Sequence, residues 1–164
     1  MDNRQLSSDS LALLEQFRHL AIASPALEEL LTGIVAAAAQ RLSHFSWTGF
    51  YMLDPADSEM LVLGPFVGDP TPHVRIPVSQ GICGAAAASG QTVVVDDVGS
   101  DPRYLSCSIK TKSEIVVPVY ANARVVGEID IDSHLPAAFK QEDRVFLEEV
   151  ARIVGDYIER HPAE

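Results

Sequence analysis

The chain has 164 residues, a length that suits one domain, because dividing it would leave two marginal cores. With 47 % hydrophobic and 21 % charged residues it can bury a substantial core without staples. A formal charge of −11 argues against nucleic acid and anionic membrane surfaces, whose phosphates it would repel.

Residues 7–23 read as a first helix, with Leu11, Leu14, Phe17 and Leu20 forming an apolar stripe at steps of three. Ser24-Pro25 then reads as a fresh start, Ser as N-cap and Pro at the first helical position, with Glu28 and Glu29 in the first turn. This second helix is expected to run to about Phe45. Its alanines 36–39 suit close packing on a sheet or a partner helix, and together with the terminal helix could pair two copies of the chain about a two-fold axis as a homodimer. From Trp47 the period shortens: 47–53 reads as a strand, 54–58 as a turn, and 60–66 as the antiparallel return. A short strand over 74–78 follows a Gly/Pro-rich loop. Residues 81–89 read as a small-residue helix, 92–95 as a strand, and 96–113 as a long irregular stretch. Residues 115–120 and 125–131 form a hairpin around Ala121-Asn122-Ala123, and 141–160 an amphipathic helix with Val145, Phe146, Val150, Ile153, Val154 and Tyr157 inward. The order predicts an α+β fold: one mostly antiparallel sheet with the N- and C-terminal helices packed on one face, in a single domain over 1–164. Residues 1–45 would supply the N-terminal helices, and 46–164 the sheet core and last helix.

No stretch approaches the roughly 18 continuous apolar residues of a spanning helix. The start, Met1 to Gln5, lacks the basic-then-apolar layout of a secretory signal, so a cytoplasmic location is expected. In a reducing compartment two cysteines, here Cys83 and Cys107, are most often inert core thiols and less often a redox pair. Cys107 falls on the long loop between Ser106 and Ser108, with Lys110 and Lys112 nearby, a setting that suits an accessible thiolate. Cys83 falls near a helix start, where amide dipoles favour a thiolate, although a small residue under a glycine turn explains it equally well. Glu114 opens one arm of the hairpin. Asp130 and Asp132, sharing a strand face, end the other arm, so the three acids should meet across it. Crowded carboxylates push one pKa up and leave an acid able to donate a proton; the plainer reading is a solvated strand end. Trp47 and Tyr51 share a face and are either ordinary core aromatics or the wall of a small slot. No paired His/Cys spacing supports a metal, and no glycine-rich phosphate loop or Gly-x-Ser-x-Gly is present.

Several of these segments, in order, resemble the GAF domain and specifically the free methionine-(R)-sulfoxide reductases. They are Trp47 to Tyr51, Leu63 to Gly68, Val74 to Pro77, Gly81 to Ala86, Cys107 with Ser113 to Val116, and Asp130 to Ser133. The resemblance implies Cys107 as the catalytic thiol, Cys83 as the resolving one, and Glu114, Asp130 and Asp132 as substrate-binding acids that assist protonation. Trp47 and Tyr51 would wall the methyl group. It further implies free methionine-(R)-sulfoxide as substrate, a Cys107 sulfenic acid condensing with Cys83, no bound cofactor, and thioredoxin or a similar dithiol as electron donor. The pattern departs at His73, where many members carry a third cysteine. It departs again in the loop, where Arg103, Tyr104 and Ser108 replace the usual residues. Asp101-Pro102-Arg103-Tyr104 is instead common in non-catalytic GAF sensors, so a small-ligand receptor of the same fold is the alternative.

Overall fold

The computed structural model describes residues 6–106 and 108–163. Ten elements form three layers: α1 (Ser8–Ala23), α2 (Leu27–Arg41), β1 (Trp47–Asp54), β2 (Asp57–Val67), β3 (Arg75–Pro77), α3 (Gly81–Ser89), β4 (Val93–Val95), β5 (Ser113–Ala121), β6 (Arg124–Ser133) and α4 (Gln141–Arg160). The strands make one antiparallel sheet in the order β3-β2-β1-β6-β5-β4. The expected α+β class holds. None of the described helices is long and apolar enough to cross a membrane.

Strand alternation sorts the sheet into two faces. Phe50, Ile115, Val117, Val119, Ile129 and Ile131 point to one side and pack with α1, α2 and α4 in a single core. Trp47, Tyr51, Leu61, Ile76 and Val116 point to the other, where α3 and the 3₁₀ turn Val98–Ser100 cover them. The small residues of α3 let it lie close to the backbone of the sheet's edge. A Cβ at Gly84 would sit 2.9 Å from the Pro77 carbonyl oxygen, so only glycine permits that approach. The β5–β6 hairpin turns on Asn122 and Ala123, both with positive φ, as a two-residue loop requires. A register shift at Val119/Tyr120 leaves Val126 over, and from there to the open end of the hairpin the pairing brings Glu114 opposite Asp132.

Three local expectations need correction. In α1 the buried set is Ser10, Leu13, Leu14, Phe17 and Ala21, while Leu11 is 37 % exposed. Steps of three fall behind a helix of 3.6 residues per turn, so a stripe built on them drifts off the buried face. Ser24 does not cap α2. It closes α1, its N–H donating to the Leu20 carbonyl, and α2 begins at Leu27 behind Ala26, which makes no side-chain cap. Helix α2 also stops at Arg41 rather than near Phe45; a short turn, Phe45 N–H to Leu42 O, leads into β1.

Candidate active site

Strand β6 runs through the middle of the sheet and carries acids at alternate positions on the α3 face: Glu128, Asp130 and Asp132. Opposite Asp132 stand Trp47 on β1 and Glu114 on β5; opposite Asp130, Gly49 and Val116; opposite Glu128, Tyr51 and Pro118. All four carboxyls are buried. They are not a solvated strand end.

Helix α3 lowers Cys83, its third residue, onto this row. The thiol donates to Asp130 Oδ2 at 3.3 Å. Glu114 hydrogen-bonds Asp130 from the neighbouring strand. Cys83 Sγ and one oxygen each of Glu114 and Asp130 lie within 4.8 Å of one another. Burial pushes the Asp130 carboxyl up, and its hydrogen bonds with Glu114 and Cys83 pull the other way. Glu128 is pushed well above the usual carboxylate range by burial and then by the Asp130 charge. Burial, followed by the charges of Asp130, Glu128 and Glu114, drives the Cys83 thiol well above its ordinary value. The expectation that the helix start favours a Cys83 thiolate is therefore overturned: desolvation and nearby acids outweigh the amide dipoles.

Cys83, Glu114, Asp130 and Asp132 line a narrow cleft with Trp47 and Tyr51, and its cavity volume is about 30 Å³. Trp47 stacks on Tyr51 with ring centroids 6.3 Å apart. The Trp47 indole N–H donates to the Asp69 carbonyl at 3.0 Å, and the Tyr51 hydroxyl to the His73 carbonyl at 2.8 Å, so both walls are held by the loop before β3. The Trp47 ring lies across Gly49, where any Cβ would collide with it. Phe50, which lies between them on β1, faces the opposite core. His73 is half-buried and lines the cleft; its Nε2 lies 3.0 Å from the Ser106 carbonyl oxygen. Lys110 and Lys112 do not line it. Lys110 faces an adjoining cleft of about 170 Å³ with Asp69 and His134. Cys107 itself lies outside the described residues.

The sequence profile of the GAF domain matches residues 24–159. GAF domain-containing protein A of Dictyostelium discoideum is 35 % identical, over 87 % of this chain and 92 % of that protein. The free methionine-R-sulfoxide reductase of Escherichia coli is 37 % identical, over 73 % of this chain and 70 % of its own length. This chain belongs to the GAF domain family, among the free methionine-R-sulfoxide reductases. A solved structure of the free methionine-R-sulfoxide reductase from Neisseria meningitidis, in complex with its substrate, superposes on this GAF domain with a TM-score of 0.87. It is 35 % identical, covering 94 % of this chain and 92 % of that one.

The structure thus brings together Cys83, Glu114, Asp130, Asp132, Trp47 and Tyr51, all singled out in sequence. Glu128 was missed. The signal existed, since it sits two residues before Asp130 and period two places it on the same face. Among the described residues, the one trio able to converge on a metal ion is Cys83, Glu114 and Asp130. It contains no histidine, and its thiol and two carboxyls are already hydrogen-bonded to one another through Asp130.

Proposed function

We propose that this chain reduces free methionine-(R)-sulfoxide to methionine, with Cys107 as nucleophile and Cys83 as resolving thiol. The observation that carries the reading is the buried, hydrogen-bonded Glu114–Asp130 pair beside a cysteine in a small cleft, where burial pushes the Asp130 carboxyl up and favours a retained proton. A sulfoxide sulfur is a poor electrophile until its oxygen is protonated, and a retained carboxylic acid supplies that proton at neutral pH. Relatives that bear this activity in their names, at 35 and 37 % identity, support the same assignment.

In the first half-reaction the Cys107 thiolate attacks the sulfoxide sulfur while the proton between Glu114 and Asp130 moves to the oxygen. The oxygen passes to Cys107 as a sulfenic acid and methionine leaves. In the second, the Cys83 sulfur attacks the sulfenic sulfur, its proton goes by way of Asp130 to the departing hydroxide, and a disulfide and water result. A thioredoxin-type dithiol then returns two electrons and two protons. Trp47 and Tyr51 wall the thioether methyl, and the remaining carboxylate charge attracts the substrate ammonium.

The test is NADPH consumption in the presence of thioredoxin, thioredoxin reductase and the free (R)-sulfoxide. Turnover that disappears in Cys107→Ser is expected. No turnover by freshly reduced wild type would overturn the reading and leave a ligand-binding domain.

A further inference from the structure

Glu128 has no task in these steps, yet it is a carboxyl with 0 % exposure in the middle of the sheet. Its flanking neighbours cannot satisfy it. Pro118 offers no donor, and the Tyr51 hydroxyl is engaged by the His73 carbonyl. The Cys83 thiol comes near enough from α3 to interact with it, yet neither Glu128 oxygen has a hydrogen-bond partner among the described residues. An ionised carboxylate left this way would be very costly, whereas a neutral carboxylic acid carries an O–H with nothing to give it to. That is the condition of a donor waiting for a charge that has not yet formed.

The charge in question is on Cys83. To attack a sulfenic acid the thiol must lose its proton, and it must do so where burial opposes a thiolate and where Asp130 from β6 and Glu114 from β5 oppose it when ionised; Glu128 from β6 joins them only as a carboxylate. Its S–H already points at Asp130 Oδ2. The first half-reaction leaves that group as a carboxylate.

We propose that Glu128, held as a neutral acid, donates its O–H to the Cys83 sulfur as the thiolate forms, and so lets a buried resolving cysteine react. This role rests on the reductase reading. The step balances: Cys83–SH passes its proton to Asp130, the Sγ–S bond to Cys107 forms as the S–OH bond breaks, and the hydroxide takes the proton from Asp130 to leave as water. Cys83 sulfur is oxidised and Cys107 sulfur reduced, while Glu128 keeps its proton throughout.

The variants that separate this from a packing role are Glu128→Gln, which keeps a donor and cannot ionise, and Glu128→Leu, which keeps bulk and has none. Both remove a carboxyl with a raised pKa, so neither should fold less stably at neutral pH, and a melting curve verifies this first. In a Cys107→Ser background without substrate, ultraviolet titration of the Cys83 thiolate should show ionisation about tenfold or more weaker in E128L than in E128Q. In single turnovers of otherwise wild-type protein, the ratio of disulfide formation to methionine release should fall about tenfold or more in E128L and recover to within about threefold of wild type in E128Q. Equal titrations for the two variants would overturn the proposal whatever the turnover shows. A wild type that releases no methionine would instead overturn the reductase reading and the resolving step with it, while the titration still decides the Glu128–Cys83 contact.

Discussion

The two faces of strands β5 and β6 are made by the same backbone and differ in one respect, the parity of the residue. Odd positions, Ile115, Val117, Ile129 and Ile131, enter the core under the three long helices. Even positions on β6, Glu128, Asp130 and Asp132, enter an equally buried layer under α3, with Glu114 beside them on β5. Both faces are buried, so burial alone does not separate structure from function here. The first face converts burial into stability. On the second, burial pushes toward their protonated forms carboxyls that water would ionise, and holds a neighbouring thiol further from ionisation.

Substitutions on the two faces should therefore fail in opposite ways. The largest effect is expected for Asp130→Asn, which removes the proton carrier but not the shape: methionine-forming turnover should fall by about 10²–10⁴-fold while the melting temperature at neutral pH does not drop. Its mirror image is Ile131→Ala, one residue along and facing the helices. A denaturant titration should show a loss of about 2–5 kcal/mol, with KM for the sulfoxide close to wild type in the protein that remains folded.

Smaller is the expected gain from Glu128→Leu, about 1–3 kcal/mol at neutral pH, from relief of a buried and poorly partnered carboxyl. Its sign follows from linkage. A carboxyl whose folded-state pKa is raised contributes stability that is fully present below the unfolded value and lost as pH climbs through the folded one. Melting curves should thus show little gain below about pH 4, a growing gain as pH rises above it, and a plateau beyond the folded-state value. The smallest effect is expected for Tyr51→Phe, which frees the His73 carbonyl: about 0.5–1.5 kcal/mol of stability and a severalfold rise in KM.

Much of this division can be read from the chain. The alternation of Ile129-Asp130-Ile131-Asp132 names both faces at once, and the hairpin brings Glu114 on the other arm near them, although its pairing with Asp132 needs the extra residue Val126, which the turn at Asn122-Ala123 does not announce. Glu128 escaped because a single acid near a hairpin turn looks like ordinary strand-end polarity. It becomes exceptional only when α3 is seen to cover it. Where α3 lands depends on Gly84 fitting against the Pro77 carbonyl, a contact between elements that no local pattern announces. The same landing decides the state of Cys83, whose neighbours Glu114, Glu128 and Asp130 lie tens of residues away in sequence. Local propensity favours a thiolate there, and tertiary burial reverses it.

The most direct measurement mixes fully reduced protein with free methionine-(R)-sulfoxide in the absence of any other reductant. It follows released methionine and the mass of the intact chain together. One equivalent of methionine per chain, accompanied by a chain lighter by two hydrogens and no reaction with the (S)-sulfoxide, is the predicted result. A chain that binds the sulfoxide yet keeps its mass and releases no methionine would contradict the account.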